Sequence, residues 1–155
     1  YMMMDGGGFP FNEGTKASVD NRMFLKPDSW ALYNMGGFDP DYMRHGQNAI
    51  DYRNGWDNYM DIPVFPTVSI GWDDTPRFPA KGENDVTRFN HSPEAFKNFL
   101  LEAKRYADAH PEQPKFVMIN AWNEWVEGSY LLPDRYWGYG WLEAVQEVFG
   151  PVKEK

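Results

Sequence analysis

The sequence contains no cysteine and only three histidines, and its 23 acidic residues outnumber its 15 basic residues. The lack of cysteine excludes a disulfide framework and a thiolate metal site. The three histidines, His45, His91 and His110, lie far apart on predicted helices or loops, so we expect no metal site. The net charge of −8, with no basic stripe, argues against nucleic acid and anionic membrane surfaces as partners.

Long apolar runs are also missing. No stretch approaches the roughly 18 consecutive apolar residues that a membrane-spanning helix needs, so we expect no membrane span. Aromatic residues, by contrast, make up 17% of the 155 residues and include seven tryptophans. This composition fits a carbohydrate-handling surface, and an aromatic-rich core explains it equally well. The length fits one ordinary domain.

Strand-like and helix-like segments alternate along the chain. The predicted strands are residues 1–4, 29–34, 62–70 and 116–120. Helices are predicted at about 40–60, 92–110 and 138–149. Alternation of this kind predicts an α/β protein with a parallel sheet.

The clearest helix signal begins at Ser92, the predicted N-cap, with Pro93 at the first helical position. Asp39 and Pro40 have the same arrangement and predict the start of an earlier helix. The predicted buried faces are Phe96, Phe99, Leu100, Ala103 and Ala107 in the 92–110 helix, and Leu142, Val145, Val148 and Phe149 in the last helix.

The most informative stretch follows the last predicted strand. Two glutamates, Glu124 and Glu127, lie three residues apart, with Trp122, Asn123 and Trp125 around them. A loop at a strand end is where α/β proteins place reactive side chains. Paired carboxyl groups perform acid and base chemistry on glycosidic bonds. A solvated pair of glutamates beside core tryptophans is the simpler alternative.

Two strings resemble a known family. INAWNEWVEGSYLLPD, at residues 119–134, is similar to the signature of the WbsX-type, glycoside hydrolase family 99-like domain, which reads INAWNEWGEG, then an aromatic residue, then LEPD. PTVSIGWDDTPR, at residues 66–77, resembles the family string P-T-V-x-x-G-W-D-N-T-P-R. Together the two strings extend the resemblance over roughly residues 60–150.

The resemblance implies a (β/α)₈ TIM-type barrel, which needs about 200–250 residues. Residues 1–155 would then be a partial catalytic barrel domain that supplies strands five to eight. We therefore expect a fragment of a longer chain, with the remainder of its own barrel as a partner. The resemblance favours a periplasmic or secreted location.

The resemblance also implies a chemistry, namely cleavage of an α-linked oligosaccharide or polysaccharide, with an α-mannoside as one candidate and endo action expected. Glu124 would deprotonate the 2-hydroxyl of the sugar, and Glu127 would protonate the leaving group. The anomeric configuration would be retained through a 1,2-anhydro sugar, without a cofactor. Val126 stands where the family usually has Gly or His, and this puts the linkage or subsite preference in doubt. Leu132 stands where the family usually has Glu, so a carboxylate expected near the substrate is missing.

Seven further residues are predicted to bind substrate, and all lie at or near predicted strand ends: Trp72, Asp74, Arg77, Asn123, Trp122, Trp125 and Tyr33. Arg77 has two equal alternatives. It contacts a substrate hydroxyl or Asp73 within a binding site, or it forms an Asp–Arg pair that only braces the loop. Asp5 and Asn34, also at strand ends, are weaker candidates. Tyr136, Trp137 and Tyr139 predict either a subsite or, more simply, a packed aromatic cluster.

Two other functions remain open. WbsX-type proteins are also described as glycosyltransferases of polysaccharide or lipopolysaccharide biosynthesis, although the sequence shows no nucleotide-sugar signature. A non-catalytic glycan-binding module is the second alternative, and the intact glutamate pair argues against it.

Overall fold

The structure, a computed structural model, describes residues 2–5, 30–33, 39–59, 63–79, 87 and 89–150. The elements follow one another as β1 (Met2–Asp5), β2 (Trp30–Tyr33), α1 (Tyr42–Tyr59), β3 (Thr67–Ser69), α2 (Pro93–Ala109), β4 (Met118–Asn120), β5 (Asn123–Glu124), a 3₁₀ turn (Trp125–Glu127), β6 (Ser129–Tyr130) and α3 (Gly140–Phe149). Strands β1 and β2 are described by their backbone alone. The side chains of Asp5 and Tyr33, and all of Asn34, lie outside the described residues.

Two pairs of strands run in parallel. β1 pairs with β2, and β3 pairs with β4 in a register that places Thr67 opposite Met118 and Ser69 opposite Asn120. Parallel neighbours need a long crossover, which α2 supplies between β3 and β4. The parallel pairing predicted from the alternation of strands and helices is present. The half-barrel stays a prediction.

The start of α2 follows the sequence prediction. Ser92 is the N-cap, and its side chain accepts a hydrogen bond of 3.1 Å from the backbone N–H of Ala95. The start of α1 does not follow the prediction, because Asp41, not Asp39, accepts from the N–H groups of Met43 and Arg44. Asp39 instead accepts a hydrogen bond from the backbone N–H of Asp41, the residue directly before the helix.

The core lies between α2, α3 and the β3–β4 pair. Its most deeply buried members include Phe96 and Leu100 of α2, Trp141 and Ala144 of α3, and Ile70 after β3. The two helices begin in contact, because a Cβ added at Gly140 would lie 2.8 Å from the Pro93 ring.

The predicted face of α3 was partly wrong. Val148 is buried as expected, and Leu142 and Val145 pack against the core with partial burial. Trp141 and Ala144 face the core more directly, and Phe149 at the helix end is 42% exposed. Trp141 stacks on His91 and meets Phe96 edge to face, at centroid distances of 4.6 and 5.7 Å. The largest aromatic side chain gains most from burial, and it therefore determines which face of the helix points inward.

The first helix is held to this core by polar contacts. The hydroxyl of Tyr42 donates to the carbonyl oxygen of Ser69 over 2.6 Å in a buried setting. Arg53 forms two 2.8 Å hydrogen bonds with the carboxylate of Glu102 and lies over the ring of Tyr106. Such forked contacts fix the angle at which two helices meet.

The three histidines have structural contacts. His45 is buried beside Tyr42, and His110 contacts the carbonyl oxygen of Tyr106 over 2.8 Å. Burial lowers the pKa of His91, although the Ile70 carbonyl and the Asp134 carboxylate oppose that shift. In the described ranges, no group of three or more His, Asp or Glu side chains is placed to hold a metal ion. No helix among these residues is both long and apolar enough to cross a bilayer.

Candidate functional site

The two segments that resemble the family, residues 66–77 and 119–134, meet at one edge of the β3–β4 pair. Ser69 and Asn120 are register partners, so the loops that follow β3 and β4 leave the sheet side by side. The N–H of Ile70 donates to the carbonyl oxygen of Asn120 over 2.9 Å and continues the ladder by one residue. The carboxyl ends of parallel strands are where α/β proteins bind ligands.

The loop after β4 is a compact structure of its own. The side-chain amide of Asn120 donates to the Ser129 hydroxyl over 3.0 Å, and that hydroxyl donates to the Asn120 carbonyl oxygen over 2.8 Å. The N–H of Leu131 donates to the carbonyl oxygen of Trp122 over 3.0 Å. These bonds fold residues 121–131 into the β5–β6 hairpin with its 3₁₀ turn, which the sequence pattern did not predict.

Gly128 explains how this hairpin closes. Its φ is 59°, in the left-handed region that favours glycine, and an added Cβ would lie 3.1 Å from the Cβ of Asp73. A glycine at this position therefore allows the left-handed turn and also lets the loop after β3 approach closely. This glycine was the available sequence signal for the turn.

The loop after β3 holds Glu127 at two points. The N–H of Asp73 donates to the Glu127 carbonyl oxygen over 2.7 Å. The guanidinium of Arg77 donates to the Glu127 carboxylate over 2.5 Å. Asp73 accepts from the N–H and hydroxyl of Thr75. Arg77 therefore pairs with Glu127 of the other loop. The sequence had suggested Asp73, in its own loop, as its partner.

The two glutamates have different surroundings. The Glu127 side chain is only 16% exposed and is held by Arg77. Glu124 lies exposed on β5, and its carboxylate makes no hydrogen bond or ion pair with residues that the structure describes. One carboxyl group is therefore fixed and the other is open to an incoming molecule.

Two exposed tryptophans lie within two residues of the open glutamate in the chain. Trp122 is 57% exposed and Trp125 is 48% exposed. The ring of Trp125 stacks on Tyr130, with centroids 4.1 Å apart and planes 27° apart, so β6 supports it from behind. Flat, exposed indole rings beside a free carboxylate form a surface that suits the apolar face of a sugar ring.

The other predicted substrate-binding residues divide into two groups. Asn123 lies exposed on β5 next to Glu124. Trp72 is half-buried and bridges to Thr87, while Asp74 is buried and its carbonyl oxygen accepts from the N–H of Arg77. The structure thus brings Asn123 to the open surface and places Trp72 and Asp74 within the supporting loop.

This geometry can be compared with known proteins. The profile described as "Glycosyltransferase WbsX" matches residues 12–145, which includes both strings and the Arg77–Glu127 pair. The chain belongs to this family. The WbsX region is 38% identical over 142 residues to "Uncharacterized protein WxcX" of Xanthomonas campestris pv. campestris, in both strain ATCC 33913 and strain B100.

The matches to WxcX cover 90% of this WbsX chain and 18% of each relative, so the chain spans about a fifth of their length. No solved structure matches the chain significantly. The description of the family names a glycosyltransferase, and the glycoside hydrolase link rests on the resemblance of the two strings.

Proposed function

We propose that this WbsX region carries the catalytic centre of an enzyme that cleaves an α-linked glycan, with Glu124 and Glu127 as the reacting carboxyl groups. One observation carries the proposal: an exposed Glu124 without a partner among the described residues lies three residues before a Glu127 that Arg77 holds. Glycosidic cleavage needs two carboxyl groups in different roles, and here one carboxyl group is held in place while the other is open.

The open carboxylate of Glu124 takes the base role. It removes the proton from the 2-hydroxyl of the sugar, whose oxygen then forms a bond to the anomeric carbon. The bond from that carbon to the leaving oxygen breaks, and Glu127 gives this oxygen its proton. Water opens the resulting 1,2-anhydro sugar by giving a proton to Glu127, while Glu124 returns its proton to the 2-oxygen. Configuration is retained after two inversions.

Arg77 has a role in this sequence that follows from its contact. Its guanidinium lies against the Glu127 carboxylate and holds that side chain in one position. The bond from the Asp73 N–H fixes the backbone of the same residue. The loop after β3 therefore positions the proton donor.

Glycosyl transfer is the second candidate, and the description of the matching family favours it. The same glutamate pair would then pass the sugar to an acceptor hydroxyl in place of water. The chain would build a polysaccharide instead of cleaving one.

The test uses the full natural chain that contains these residues, a panel of α-linked glycans that includes α-mannans, and water labelled with ¹⁸O. Hydrolysis gives shorter products with ¹⁸O at the new reducing end, which mass spectrometry detects. Transfer gives longer products without label and depends on an acceptor or an added nucleotide sugar. Binding without any product would contradict both candidates and leave a glycan-binding module.

Replacing Arg77 by methionine is expected to lower kcat about 10-fold or more, because a misplaced proton donor loses much of its catalytic effect. KM should change less, since the carboxylate of Glu127 is the partner that Arg77 holds in this structure. The change in the free energy of unfolding should stay below about 1 kcal/mol, as for other partly exposed ion pairs.

Two variants control the Arg77 experiment. Arg77→Lys keeps a cation near Glu127 and should restore part of kcat. Lys97→Met removes a cation that pairs with Glu94 and Glu147 on the outer helices, and it should leave kcat unchanged. An Arg77→Met chain with wild-type kcat would show that the pair only braces the loop.

A further inference from the structure

Three neighbouring aromatic residues after β6 have different environments. Trp137 packs against the core and meets Trp141 at a centroid distance of 5.9 Å. Tyr136 is 82% exposed and Tyr139 is 64% exposed. Tyr136 meets Trp137 edge to face at a centroid distance of 4.6 Å, and Trp137 is partly buried, so the segment is packed on its inner side while Tyr136 and Tyr139 keep most of their surface exposed. Two large exposed rings within four residues of chain need another explanation.

The turn that presents Tyr136 is held firmly. Asp134 and Gly138 exchange two backbone hydrogen bonds of 3.2 and 3.1 Å. The Asp134 carboxylate accepts from the N–H groups of Tyr136 and Trp137, at 2.7 and 2.5 Å. Burial alone would raise the pKa of Asp134, but these two N–H groups, with the side chains of Tyr130 and Trp141 nearby, hold it below its ordinary value. The charged carboxylate thus keeps the turn in one shape.

The same turn is continuous with the aromatic surface of the candidate site. Burial and the neighbouring Asp134 carboxylate both raise the pKa of Tyr130. Tyr130 in turn stacks on Trp125, which follows Glu124 directly. Contacts therefore lead from the open glutamate through Trp125 and Tyr130 to the turn that carries Tyr136. An exposed ring fixed in place has little rotamer entropy to lose when a ligand covers it.

We propose that Tyr136, with Tyr139 beside it, forms a further subsite that stacks on a pyranose ring of the bound glycan, beyond the ring held at Trp125. This inference rests on the proposed glycan-cleaving function and adds a requirement to it: the glycan must be long enough to cover the turn. Such a subsite gives longer glycans a higher affinity than disaccharides, which agrees with cleavage inside a polysaccharide.

The test measures binding by calorimetry in the full natural chain with Glu124→Gln, so that the probe is not consumed. The probes are the disaccharide and the hexasaccharide of the α-mannan series. Tyr136→Ala should raise the Kd of the hexasaccharide about 10-fold, as expected when part of an apolar ring face returns to water, and should leave the Kd of the disaccharide within about twofold. Tyr136→Phe should bind both probes like the parent, because the ring and not the hydroxyl does the stacking.

A matched control is Phe149→Ala. Phe149 is 42% exposed at the other end of α3, about 15 Å away along the helix axis, and its loss should change neither Kd. Equal weakening of both probes by Tyr136→Ala, or no weakening of the hexasaccharide, would overturn the subsite while leaving the proposed function intact. Failure of the parent chain to bind either probe would overturn both proposals for α-mannans.

Discussion

Replacing Glu124 by glutamine is expected to lower kcat by a factor of about 10²–10⁴, the usual contribution of a positioned acid or base. Glutamine keeps the size of the side chain and removes its ability to accept a proton. The residue is exposed and has no partner among the described residues, so folding should be unaffected. Rates are measured by mass spectrometry on the glycan that the panel identifies as substrate.

Glu127→Gln is expected to cause a loss of similar size on natural glycans, and the leaving group separates the two roles. A glycosyl fluoride needs little protonation of its leaving group. With this substrate the Glu127→Gln variant should therefore regain most of the wild-type activity, and the Glu124→Gln variant should regain little. Recovery in the opposite pattern would reverse the assigned roles.

Glu143→Gln is the matched control for both variants. Glu143 lies exposed in the first turn of α3, away from the hairpin, and its replacement should leave kcat within about twofold. If both site variants cleave at the wild-type rate, the proposed catalytic pair is wrong and the binding-module alternative gains.

Replacing Trp141 by alanine is expected to produce the largest loss of stability, about 3–5 kcal/mol, as for other fully buried aromatic residues. Trp141 is 1% exposed and its ring contacts His91, Phe96 and Trp137. The local readout is hydrogen exchange of peptides from α2 and α3 in the full natural chain, where protection should fall by a factor of about 10² or more.

Trp122→Ala is the control with the same change of side chain at an exposed position. Trp122 is 57% exposed, so the same peptides should keep their protection, while glycan binding should weaken. If Trp141→Ala left protection unchanged, the described core would not be the element that holds α2 and α3 together.

The candidate site was predictable where its signals were local. Ser92 before Pro93 defines a cap within four residues of chain, and the apolar spacing of α2 follows from 3.6 residues per turn. The position of Glu124 and Glu127 after a strand was readable for the same reason, although β4 is only partly buried where the apolar run predicted a buried strand. The contact between Arg77 and Glu127 joins residues 50 positions apart, so no local pattern could specify it.

The sequence by itself determined the α/β alternation, the helix caps of α2, the glutamate pair and the family resemblance, because each depends on neighbouring residues or on a string of them. The tertiary structure alone decided which glutamate is held and which is open, since Arg77 and Asp73 reach Glu127 only when the two loops dock. It also decided that Trp141 faces inward and Tyr136 outward, because burial depends on which surfaces the helices and turns share.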